Sequence, residues 1–136
     1  MNPLDIIAKY YPVGSEAYRI LVIHSRSVAD KALAIARMHP EMNLDLAFVE
    51  EAAMLHDIGI FRCNAPDIDC HGDAEYICHG YLGAELMRAE GYPRHARVCE
   101  RHTGTGITLA MIEERGLPLP HRDFMPETLE LSLIHI

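Results

Sequence analysis

His56 and Asp57 are adjacent near the end of an apolar run at residues 46–59. Three more histidines, His24, His79 and His102, fall on apolar stripes of three other helical segments. Neutral imidazole is a common metal ligand, and a neighbouring carboxylate adds charge and a second kind of donor. One histidine on an apolar stripe is commonly a hydrogen-bonded core residue. Four of them with a carboxylate differ, because burying so many imidazoles without a shared partner is unfavourable. A divalent cation satisfies them together. The expected chemistry is therefore metal binding by His24, His56, Asp57, His79 and His102.

Helices must position these side chains. A short helix is expected at residues 3–11, stopped near Pro12. Gly14-Ser15 offers an N-cap for a long helix over 16–38, and His39-Pro40 ends it. A helix over 46–57 has Gly59 as its stop. Residues 61–73 read as a loop. Further helices are expected over 74–90, over 93–103 with Pro93 in the first turn, and over 108–115. No segment alternates as a strand does. The expected class is all-α, a bundle of about five to seven helices in a single domain.

Helical periodicity assigns the faces. Ala17, Leu21, His24, Val28, Ala32 and Ile35 form one stripe, which points His24 into the core. Val49, Ala52, Ala53 and His56 form another, with Asp57 one step around. Tyr76, His79, Gly83 and Leu86 align, and Gly83 permits close backbone approach. His95, Val98, Cys99 and His102 align, but His95 lies two turns before His102 and reads as a core or supporting group. His39, His71 and His121 fall in loops.

The chain has 136 residues, 49% of them hydrophobic, which is enough for one packed core. Its net charge of −8 argues against binding a nucleic-acid duplex. No apolar stretch has transmembrane length and no signal-peptide pattern begins the chain, so no membrane partner and a cytoplasmic location are expected. Cys63, Cys70, Cys78 and Cys99 form no CxxC pair and read as reduced, ordinary thiols rather than a metal loop.

His56-Asp57-Ile58-Gly59 resembles the HDIG signature of the HD-domain superfamily of metal-dependent phosphohydrolases, in particular its small stand-alone members. The segments beginning His79-Gly80-Tyr81 and Glu100-Arg101-His102 also resemble family segments, and the likeness covers about residues 15–130. The resemblance implies a helical bundle around one or two divalent transition-metal ions (Fe, Mn, Co, Ni or Zn). It implies that His24, His56 and Asp57 hold one ion, and that Asp57, His79 and His102 hold the second. The family adds a final Asp on a last helix. Residues 131–136 carry none and do not resemble that helix, as a truncation, a frameshift or a foreign tail would leave them. Three protein groups plus solvent are then expected at the first ion. His135 is not taken as a substitute ligand.

The implied activity is hydrolysis of a small phosphorylated substrate, nucleotide-like or another phosphoester, by a metal-activated water. Asp57 is the expected bridge. Arg94, Arg97 and Arg101 form a stripe beside that of His102; Arg101 is the expected contact to a phosphoryl group, with Arg62 second. Two other readings use the same motif. One is a diiron oxygenase of the HD fold. The other is a catalytically weakened nucleotide-binding module.

Overall fold

The computed structural model describes residues 1–134. Its helices are α1 (Pro3–Tyr10), α2 (Glu16–Met38), α3 (Leu46–Leu55), α4 (His79–Ala89), α5 (Pro93–Arg101), α6 (Leu109–Arg115) and α7 (Leu129–Leu133). The expected all-α class holds. The only strands among the described residues are the two-residue β1 (Asn64–Ala65) and β2 (Cys70–His71), paired antiparallel. No described helix is long and apolar enough to cross a membrane.

Local chemistry fixes the helix starts. The Ser15 side chain accepts a hydrogen bond from the Tyr18 N–H at 3.1 Å, and Asp45 accepts from the Phe48 N–H at 3.1 Å. These caps satisfy first-turn donors that have no partner within the helix. Pro93 opens α5, where its missing N–H costs nothing. His39 caps the end of α2, and Pro40–Met42 turns the chain toward α3.

α2 packs against α3, α3 against α5, and α4 against both α5 and the 3-10 turn Ile58–Arg62. Alanines on the facing surfaces, among them Ala29 and Ala32 on α2 and Ala52 and Ala53 on α3, are fully buried. Small side chains there allow close approach of the helices. Leu33, Phe48, Val49, Leu55, Ile58 and Met87 fill the core between them.

Two expectations need correction. The buried stripe of α2 is Leu21, Ser25, Ala29, Ala32, Leu33 and Ala36, so His24 lies on its border, not in the core. The helix expected from residue 74 begins at His79. Before it, the Ala74 N–H donates to the Arg62 carbonyl at 3.1 Å and the Asn64 N–H donates to the Ala74 carbonyl at 2.9 Å. A backbone committed to these bridges cannot start a helix. Toward the C-terminus the chain forms α7, five residues without an Asp. His135 lies outside the described residues.

Candidate metal centre

Three of the four candidate imidazoles sit where a helix begins or ends, and His24 lies within α2. His56 caps α3, His102 caps α5, and His79 opens α4 directly after the 3-10 turn Tyr76–Cys78. All three rings are oriented in the same way. Nδ1 of His56 lies 2.5 Å from the Ala53 carbonyl, Nδ1 of His79 lies 2.6 Å from the Tyr76 carbonyl, and Nδ1 of His102 lies 2.6 Å from the Cys99 carbonyl. A carbonyl only accepts, so in each ring Nδ1 carries the proton. The tautomer follows from that partner. In the neutral ring, Nε2 then presents a lone pair.

Those lone pairs converge on one carboxylate. Asp57 Oδ1 lies 3.0 Å from His102 Nε2 and 3.2 Å from His79 Nε2. Asp57 Oδ2 lies 3.2 Å from His56 Nε2 and 3.1 Å from His24 Nε2. His79 and His102 bring their Nε2 atoms within 2.9 Å of each other. Distance alone does not make these contacts hydrogen bonds: His56 Nε2 and Asp57 Oδ1 are fully buried and have no hydrogen-bond partner. Buried polar atoms are nearly always satisfied, and lone pairs facing a carboxylate repel. A cation removes both problems.

The donor set fits one. His24, His56 and Asp57 form one group, and Asp57, His79 and His102 another, with the candidate ligand atoms of each group within 4.8 Å of one another. Imidazole with carboxylate suits a divalent transition metal. Burial disfavours the charged form of the Asp57 carboxyl, a cost that a cation shared with His102, His24, His56 and His79 would offset. Burial also lowers His102, keeping that ring neutral. His24 differs: its side chain is 43% exposed, and its hydrogen bond with Asp57 raises it. Neutral imidazoles and an ionised carboxylate are the forms that coordinate metals.

Two features outside the ligand set position it. Gly59 does not act as a left-handed helix stop. A Cβ there would lie 2.2 Å from the His79 carbonyl oxygen and 2.4 Å from the Gly83 nitrogen, so glycine lets the turn after Asp57 press onto the start of α4. Tyr11, buried at the end of α1, donates its hydroxyl to the Ile58 carbonyl at 2.8 Å and accepts from the Phe61 N–H at 3.0 Å. It ties both ends of that turn. Sequence reasoning missed Tyr11, since its partners are 47 and 50 residues away. The only signal was a tyrosine ending a short apolar helix.

The remaining histidines stay apart. His95 pairs with Glu51 at 2.9 Å between the rings of Phe48 and Tyr92, which makes it a core group. His39, His71 and His121 pair with Glu41, Asp69 and Glu113. The four cysteines are buried, free, and absent from both candidate metal groups among the described residues. Burial pushes the Cys63 thiol up to about 11, an unreactive state.

Arg101 does not join the cluster. Its guanidinium donates to the Met125 carbonyl at 3.1 Å and pairs with Glu127 at 3.3 Å. Arg94 and Arg97 pair with Asp45 and Glu127. The expected phosphate contact is thus already occupied by acidic and carbonyl partners. Arg62 is exposed and lines a separate shallow surface with Gly72 and Asp73. Beside the cluster opens a different space, a cavity of about 260 Å³ reached past His24 and Asp57 and walled by Leu21, Ile60, Ile68 and Tyr76.

A helical bundle that gathers a His-Asp pair with three more histidines from separate helices is the architecture of a metal-binding domain. The HD-domain signature matches residues 21–135, and the chain belongs to that family. It is similar to a tRNA (cytidine(56)-2'-O)-methyltransferase of Thermoplasma volcanium, 33% identical over 132 residues, which cover 96% of this chain and 33% of that protein. An uncharacterised protein of Methanocaldococcus jannaschii is 36% identical over 117 residues, covering 84% of this chain and 62% of that one. A second tRNA (cytidine(56)-2'-O)-methyltransferase, from Picrophilus torridus, is 32% identical over 116 residues, 85% of this chain and 29% of the relative. The chain therefore spans about a third of the methyltransferases and under two thirds of the third relative. No solved structure matches it.

Proposed function

We propose that this protein is a metal-dependent phosphohydrolase acting on a small phosphoester, a nucleotide among the candidates. One observation carries the reading: buried lone pairs on His56, His79 and His102 face the Asp57 carboxyl group, leaving His56 Nε2 and Asp57 Oδ1 without a hydrogen-bond partner. His24, His56 and Asp57 would hold one divalent ion, and Asp57, His79 and His102 a second. When bound, such ions polarise a phosphoryl group and lower the pKa of water from about 15.7 to about 7.

The chain's own residues define how substrate meets that centre. Asp57 turns Oδ2 toward His24 and His56 and Oδ1 toward His79 and His102, so one carboxylate serves both groups. The backbone carbonyls of Ala53, Tyr76 and Cys99 fix three rings before any ligand arrives, which is preorganisation of the kind that makes electrostatic stabilisation effective. His56, His79 and His102 are inaccessible and close the site on the core side. His24 is the exposed member, so substrate enters past it, from the cavity.

The test is phosphate release from phosphomonoesters, cyclic nucleotides and dinucleotides by protein loaded in turn with Mn, Fe, Co, Ni or Zn, under argon. The reading expects turnover of at least one ester without oxygen, lost in Asp57→Ala. No release from any ester with any of the five metals would sink it.

A further inference from the structure

The cavity beside the ligand cluster has a composition that selects a substrate. We infer that it takes the uncharged, apolar organic group of a monophosphate ester, and that it discriminates against substrates carrying a second anionic group. This rests on the phosphoester reading above for the phosphoryl end only.

Its walls are Ile20, Leu21, Ile60 and Ile68, with the Tyr76 ring at its edge. Besides the Tyr76 hydroxyl, which is uncharged, two further polar side chains reach it, and both are committed. The Tyr11 hydroxyl is committed to Ile58 and Phe61, and the Cys70 thiol faces the Ile68 carbonyl at 3.7 Å. No lysine or arginine lines it. At the cluster end, cations held by Asp57 and the histidines would balance one phosphoryl group. Beyond that point the walls offer a second anion no positive charge, and moving an unpaired charge onto a largely apolar surface is costly. The arginines on the neighbouring stripe of α5 cannot serve, being paired with Asp45, Glu127 and the Met125 carbonyl.

Size sets the other limit. An apolar cavity of about 150 Å³ holds benzene. The 260 Å³ here admits a single ring or a short alkyl chain. It is too small to enclose two nucleosides. The Tyr76 ring lies against that of His79, with centroids 4.5 Å apart and the planes tilted by 34°, which places an aromatic ring at the cavity edge near a candidate ligand.

The experiment measures binding of phosphonates, which cannot be hydrolysed, to manganese-loaded protein by calorimetry. Methylphosphonate, butylphosphonate and 4-phosphonobutyrate share the phosphoryl end. The last two share a four-carbon chain but differ in whether it ends in methyl or carboxylate. Each added methylene should tighten binding roughly fourfold where it is fully buried. Butylphosphonate should therefore bind at least about tenfold tighter than methylphosphonate, and the terminal carboxylate should erase that gain. Ala17→Phe, and more mildly Ala17→Leu, should fill the cavity and remove the butyl advantage, with metal content and methylphosphonate affinity unchanged. Equal binding of the methyl and butyl compounds, or of butylphosphonate and 4-phosphonobutyrate, overturns the inference and leaves the phosphoester reading standing. Failure of every phosphonate to bind takes down both.

Discussion

Two faces of α5 carry residues that could do chemistry, and their surroundings are opposite. On one face His102 points a lone pair at the Asp57 carboxylate and at a second lone pair on His79. On the other, Arg94, Arg97 and Arg101 are spaced to grip a phosphate, yet their charges are already matched by Asp45, Glu127 and Glu130. Residue type and helical spacing nominated both faces. The second also holds one buried atom without a partner, Arg101 Nε, but it stands alone beside paired guanidinium nitrogens, whereas the first turns several polar atoms toward one shared carboxylate, and that convergence marks a site awaiting a ligand.

Substitutions can test the contrast directly, because they should rank by face. Asp57→Ala should have the largest effect. It removes the one carboxylate common to both groups, so bound metal should fall to background in elemental analysis. Turnover should drop by at least about a thousandfold, on the scale of losing transition-state stabilisation. His102→Ala and His24→Ala come next and should separate the two groups. Each should lose one ion and keep the other, read as a halved metal-to-protein ratio.

Gly59→Ala changes none of the candidate ligand residues but drives a methyl group into the His79 carbonyl. Overpacking of this kind costs about 1–3 kcal/mol, visible in denaturant unfolding, and the displaced His79 should weaken metal binding as well. Tyr11→Phe should be milder. It strands the Ile58 carbonyl and the Phe61 N–H, at a cost of about 1–3 kcal/mol for an unsatisfied buried group, and should loosen the turn that follows Asp57. A matched Tyr10→Phe, which removes only a bond to Glu90, should leave metal affinity untouched.

Arg101→Ala should do least. Metal content should stay constant and turnover should stay within about twofold, and any cost should appear in stability alone, since the side chain is only 10% exposed and holds Glu127 and the Met125 carbonyl. An Arg101→Ala variant that loses turnover while Tyr11→Phe and Gly59→Ala do not would reverse the ranking and restore the arginine face as functional.

Much of this was readable in the chain itself, and the failures are instructive. Helix starts at Ser15, Asp45 and Pro93 obey local rules of capping and proline geometry, which act within four residues. The ligand set was readable because its residue types are rare on apolar stripes. The segment between α3 and α4 was not, since bridges such as Cys63 to Ala74 pair residues that share no periodic pattern. The burial of His24 was misplaced by one step of the helix. The apolar stripe of α2 is wide, and its centre is set by where α3 packs. The pairing of Arg101 went unread for a related reason: charge spacing along a helix says nothing about which acidic groups a distant segment brings to it.

The central claim is that imidazoles from separate helices share cations through Asp57. Crystals loaded with manganese, iron, cobalt, nickel or zinc, with anomalous diffraction recorded at each metal's absorption edge, address it most directly. The account predicts anomalous density among His56 Nε2, His79 Nε2, His102 Nε2 and the Asp57 carboxylate with at least one of these metals, and with full loading a second peak on the His24 side. Rings found dispersed onto unrelated hydrogen-bond partners, with no density between them for any of the metals, would contradict it.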